Sequence, residues 1–74
     1  MILVMDTADP LTFREQQILY YIARGYSNRE ISTKLSLSEQ TVKVHLANML
    51  SKTSCTNRAA LVSYGFERGI LRNR

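Results

Sequence analysis

Apolar residues recur along this chain at the spacing of helices, and short polar clusters divide the recurrence into four stretches. Thr12-x-x-Glu15 opens the first with a capping box, in which each side chain satisfies a backbone N–H at a helix start. Ile18, Leu19, Ile22 and Ala23 follow at helical spacing, and Gly25 is placed to end the helix in the left-handed conformation. Ser27-x-x-Glu30 repeats the box; Ile31 and Leu35 then give a second helix its apolar side, as far as about Leu35. Ser36-Leu37-Ser38 reads as a tight connection, with Leu37 turned inward and Ser38 capping a third helix. In that helix Val42, Leu46, Met49 and Leu50 stand at i, i+4, i+7 and i+8, one apolar stripe that needs a core to lie against. Thr53-Ser54-Cys55-Thr56-Asn57 closes it. Thr56 or Asn57 then caps a fourth helix, from about Arg58 to Arg68, which carries Leu61, Val62 and Phe66 and is ended by Gly69 before Ile70 and Leu71.

Two short helices joined by a three-residue turn, the second longer and basic, make a helix-turn-helix. The expected fold is therefore all-α, a four-helix helix-turn-helix domain over residues 11–71 with the third helix as recognition helix. That helix has a short, wettable second face: Thr41, Lys43, Val44, Ala47, Asn48 and Ser51. A helix that packs with one side and offers a basic, low-profile opposite side suits the DNA major groove, which is about 12 Å wide and admits one helix. Residues 1–10, an apolar run followed by Asp-Thr-Ala-Asp-Pro, read as a linker or frayed N-terminal segment, with a docking strand for another domain as the alternative. The run is too short to span a membrane and lacks the charged start of a signal peptide. Residues 72–74 are expected as a tail.

Charge narrows the class of partner. The net charge of +4 favours a polyanion or an acidic surface, and the excess is concentrated. From Ser27 to Arg58, Arg29, Lys34, Lys43, Lys52 and Arg58 face only Glu30 and Glu39, whereas up to Tyr26 acids outnumber bases. One His and one Cys fall short of the ligands zinc needs, so no metal and no cofactor is expected. No paired carboxylates, nucleophile set or phosphate-binding glycine loop speaks for an enzyme. Cys55 has no internal disulfide partner, which fits a reduced, cytoplasmic setting, and as a free cysteine it reads as core packing. Tyr20, Tyr21, Tyr26 and Tyr64 are scattered over two helices and the turn between the first two, and read as packing and rim rather than a base-stacking platform.

The stretches LTFRE, LYYIARGYSNREI, LSLSEQTVKVHLANMLSK and NRAALVSYGFERGIL together resemble the LuxR-type DNA-binding domain, also called the FixJ, NarL or GerE type. The resemblance covers Leu11 to Leu71. It implies four packed helices, the third in the major groove of double-stranded DNA and the fourth pairing two copies, in a bacterial, nucleoid-associated transcription regulator that contacts RNA polymerase or excludes another protein. It further implies that the domain serves as the output of a larger response regulator. Lys43 matches a reader position of the family and is the first candidate for a base contact through guanine O6 or N7, with a phosphate contact as the alternative; Val44 and Ala47 flank it and would face a thymine methyl or simply permit approach. Thr41, Asn48 and Lys52 are candidate phosphate contacts, as are Ser27, Asn28 and Ser38 at helix starts and His45 on the helix flank. Glu15 either closes its capping box alone or also pairs with a base such as Arg58. Val62, Gly65, Phe66 and Gly69 on the fourth helix are the candidate dimer interface. The alternative function, from another class, is a protein-interaction module of the same fold that modulates another regulator, for which the groove face would be dispensable.

Overall fold

Four N-caps punctuate the chain where its polar clusters fall. The computed structural model describes residues 1–73. Helix α1 spans Phe13–Ala23, α2 Asn28–Leu35, α3 Glu39–Thr53 and α4 Arg58–Glu67. Thr12 and Ser27 both make complete capping boxes, Ser38 caps α3 by accepting the Thr41 N–H, and Asn57 rather than Thr56 caps α4 by accepting from Ala60. Gly25 (φ 86°) and Gly69 (φ 74°) take the left-handed conformation after α1 and α4. The two turns flanking α3 are made differently, by Ser36 (φ 55°) and Ser54 (φ 56°), residues that pay a steric cost for that conformation.

The core lies where the four apolar stripes meet. Ile18, Leu19 and Ile22 of α1, Ile31 of α2, Val42 and Met49 of α3, and Leu61 of α4 are buried together with Leu11, Ile70 and Leu71. Leu37, Leu46, Leu50, Val62 and Cys55 pack half-buried around them. Burying such a side chain contributes about 1.5–3 kcal/mol, so α3 is held chiefly by Val42 and Met49 on one side. That leaves its opposite side to solvent.

The N-terminal segment departs from expectation. Instead of a frayed linker, Ile2–Leu3 forms strand β1, paired antiparallel with β2 (Leu71–Arg72) in the register Ile2 with Arg72 and Leu3 with Leu71. The Val4 N–H donates to the Ile70 carbonyl at 2.7 Å. Buried Gln16 then closes the segment onto α1. Its Nε2 donates to the Asp6 and Leu11 carbonyls (2.8 and 3.0 Å), and its Oε1 accepts the Asp6 N–H (2.8 Å). The Tyr64 hydroxyl of α4 donates to both carboxylate oxygens of Asp9 (3.1 and 3.0 Å). An amide buried inside a small core must have all its bonds made, and the first ten residues supply most of those for Gln16. Of the expected tail, Arg72 belongs to β2, and Arg74 lies outside the described residues.

Candidate nucleic-acid interface

The helix-turn-helix is built by local bonds that set the start of α3. The Leu37 N–H donates to the Ser32 carbonyl (2.9 Å) as the chain leaves α2 through Ser36. The Ser38 hydroxyl accepts the Thr41 N–H (3.0 Å) and shares a hydrogen bond with the Thr41 hydroxyl (2.7 Å). Both side chains are therefore engaged in the cap, with capacity left for one further partner at Ser38 and two at Thr41.

Along α3 the two faces separate cleanly. Val42 and Met49 are buried, whereas Lys43, Val44, Ala47 and Asn48 are exposed, Val44 at 50%. His45 and Leu46 are half-buried on the flank between them. The Lys43 ammonium lies 3.8 Å from Glu39, one turn earlier, an exposed i,i+4 pair of the kind that contributes about 0.3–0.5 kcal/mol. Such a pair releases its lysine to a phosphate or a base edge at small cost. The structure thus brings Thr41, Lys43, Val44, Ala47 and Asn48 together on one open side of one helix.

Lys52, at the far end of α3, is turned elsewhere. Its ammonium donates to Glu15 Oε1 at 2.7 Å, the lysine side chain 36% and the glutamate side chain 4% exposed. Burial pushes the Glu15 carboxyl up, but the bond from Lys52, the bond from the Thr12 N–H and the lysine charge together bring it below the usual carboxylate value. Glu15 thereby does three things: it closes the α1 capping box, it is satisfied inside the core, and it ties the end of α3 to α1. Lys52, expected at a phosphate, is engaged by Glu15 and ties two helices together. The sequence offered Arg58 as the partner of Glu15, and Arg58 does something different. Its guanidinium donates to the Asn28 side-chain oxygen and to the Tyr26 carbonyl (2.9 Å), joining the start of α4 to the start of α2. The Asn28 oxygen is thus occupied, leaving its amide N–H groups for any phosphate.

Ser27 accepts the Glu30 N–H (3.1 Å) in its capping box and is exposed at the start of α2. On the outer side of that helix Tyr26, Arg29, Glu30, Thr33 and Lys34 line an open depression of about 370 Å³. The Tyr26 ring there lies 5.1 Å from that of Tyr21, with Arg24 and Lys34 near its face at 6.0 and 5.9 Å. These tyrosines pack against each other and against cations. Among the described residues no three His, Cys, Asp or Glu side chains gather as a metal site, and no helix is long and apolar enough to cross a membrane.

The fourth helix corrects one expectation firmly. Gly65 is buried, and a Cβ there would stand 2.7 Å from Leu71 Cδ1 and 2.9 Å from Leu19 Cδ2. Its smallness admits β2 and α1 of the same chain, so it offers no surface to a second copy. Gly69 serves the turn that ends α4. Phe66 is 39% exposed and Val62 half-buried, which leaves these two as the apolar face α4 turns outward.

Three residues carry contacts that sequence reasoning missed: Gln16, Lys52 in its role as a tie, and Arg58 as the brace of α2. No periodicity marks them, because each acts across a sequence separation that only packing closes.

Known proteins share both the pattern and the shape. The model of the family described as bacterial regulatory proteins, luxR family, matches residues 9–64. The response regulator protein VraR of Staphylococcus aureus (strain NCTC 8325 / PS 47) is 43% identical over 61 residues, which covers 82% of this chain and 29% of that protein. VraR of Staphylococcus epidermidis (strain ATCC 35984 / DSM 28319 / BCRC 17069 / CCUG 31568 / BM 3577 / RP62A) matches to the same extent. The crystal structure of the response regulator ChrA in a heme-sensing two-component system superposes with a TM-score of 0.79 at 35% identity, over 89% of this chain and 33% of that one. The chain thus spans about a third or less of the length of these relatives. A matching family model over most of the chain and a shared four-helix architecture agree: the chain belongs to the luxR family of bacterial regulatory proteins and carries that family's DNA-binding helix-turn-helix domain.

Proposed function

We propose that this domain binds specific double-stranded DNA as a homodimer and is the output domain of a larger bacterial response regulator. The observation that carries the reading is the division of α3: Val42 and Met49 are sealed in the core while Lys43, Val44, Ala47 and Asn48 stand open on a face with no bulky side chain. Lys43 reads a guanine edge, Val44 and Ala47 lie against thymine methyls or leave room for the duplex, and Thr41, Asn48 and the starts of α2 and α3 at Ser27, Asn28 and Ser38 hold phosphates, with His45 on the flank. Two copies pair through Phe66 and Val62 of α4 and set their α3 helices one DNA turn apart, on inverted half-sites about 10 bp centre to centre. Occupancy in the nucleoid then acts on transcription by contact with RNA polymerase or by excluding another protein.

Selection of bound sequences from random duplex DNA at near-physiological salt tests this. Enrichment of an inverted repeat is expected, and Phe66→Glu should reduce it to a single half-site. Each phosphate neutralised by a lysine or arginine steepens the fall of log K with log salt by about 0.9, and a slope near zero would count against the electrostatic part of this reading. Binding without enrichment would reduce the domain to nonspecific attachment, and no binding at all would favour a protein partner.

A further inference from the structure

The outward pole of α3 is not at Lys43. At about 100° per residue, Gln40 stands nine residues and two and a half turns from Met49, which places it diametrically opposite the most deeply buried part of the helix, with Val44 one turn beyond it on the same line. Lys43 and Glu39 lie to one side of that line and Thr41 and Asn48 to the other. Gln40 is also in the first turn, the part of a recognition helix whose residues contact base edges when it enters the major groove.

The neighbours of Gln40 in that turn are committed. Thr41 and Ser38 bond each other in the cap, a network that does not use Gln40. Glu39 stands 3.8 Å from Lys43, and its charge opposes approach to phosphate. Gln40 is exposed, neutral and long, with a donor and an acceptor on one planar amide. That pair matches N7 and N6–H of adenine in the major groove, the one base edge that presents an acceptor beside a donor.

We propose that Gln40 is a specificity-determining residue that reads an adenine, beside the base pair contacted through Lys43. The assignment rests on the proposed insertion of α3 into DNA. The test compares sequence selection by the wild-type domain, Gln40→Ala and Gln40→Lys, with circular dichroism and thermal melting to verify that each variant is folded. The expected result is that Gln40→Ala loses a preference for adenine at one position of each half-site, worth about tenfold, with the remaining positions unchanged. Gln40→Lys should move the preference at that position to guanine. An unchanged motif in both variants would overturn the role of Gln40 and leave the DNA-reading assignment standing. A uniform loss of affinity over all sequences in Gln40→Ala, with the salt slope unchanged because glutamine carries no charge, would mark a phosphate contact and overturn it as well. No motif from the wild-type domain would remove both proposals together.

Discussion

The two ends of α3 carry the same kinds of side chain and use them in opposite ways. In the first turn an acid and a lysine, Glu39 and Lys43, meet at 3.8 Å on the surface; in the last turn a lysine, Lys52, meets an acid of another helix, Glu15, at 2.7 Å with the glutamate nearly sealed from water. Solvent screens the first pair and leaves Lys43 available to a ligand. Desolvation sharpens the second and engages Lys52 in the fold. The helix is thereby anchored at its end and open at its start. Which lysine stays open to a ligand and which positions the helix depends on the exposure of the acid beside it, since the two lysines are chemically identical.

Lys52→Met probes that contrast with the largest expected effect. It leaves Glu15 buried without its cation; removing one partner of a fully buried pair costs about 3–5 kcal/mol, and the partial exposure of Lys52 reduces this to about 2 kcal/mol in chemical denaturation. At concentrations where the variant is folded, its salt slope for DNA should match the wild type. A slope shallower by about 0.9 would return Lys52 to the phosphate contacts. Lys43→Met should do the reverse, with less than about 0.5 kcal/mol lost in stability and about a tenfold loss of affinity for the selected site.

Acid sharpens the comparison further. Glu15 titrates below its ordinary value of 4.5 in the folded state, so its contribution is complete above that pH and is lost as pH falls through the lowered folded value. Glu30, lowered by its bonds to the Ser27 backbone and hydroxyl, adds an acid loss of the same sign that Lys52 does not touch. In Lys52→Met only the bonds to Thr12 still oppose the burial of Glu15. The decline in stability below pH 4.5 should therefore be shallower than in the wild type. Equal acid limbs in the two proteins would show that Lys52 does not set the titration of Glu15.

The smallest effect concerns the two serines that bracket α3. Ser36→Gly and Ser54→Gly each remove a left-handed strain of about 1–2 kcal/mol while adding about 0.5–1 kcal/mol of chain entropy cost, for a net gain near 0.5–1 kcal/mol in thermal or chemical unfolding. Equal gains would mean that both turns are strained only locally. A loss at Ser36 alone would mean that its side chain supports the approach of α3 to α2.

Helix limits and the solvent-facing side of α3 were legible because they are written locally. Capping boxes at Thr12 and Ser27, the caps at Ser38 and Asn57, and the stripe Val42, Leu46, Met49, Leu50 each depend on residues within two or three turns. Periodicity also told which side of α3 is wet, and with it the place of Lys43, Val44, Ala47 and Asn48. Other assignments needed the tertiary structure. Gly65 lies at a spacing that suits a dimer face and an internal contact equally well, and the position of Leu71 against α4 decides between them. Glu15 had several bases within reach of the imagination, and packing brought Lys52 to it while sending Arg58 to Asn28. The first ten residues hold too little apolar surface to fold by themselves, so their pattern could not tell a linker from a strand; Ile70, Leu71 and the buried amide of Gln16 supply the partners that order them. The sequence by itself determined the helices and their faces, since backbone capping and hydrophobic period act over a few residues; only the tertiary structure decided which polar and small residues are spent on the fold, because a hydrogen bond or a close approach between distant residues exists only once the core has brought them together.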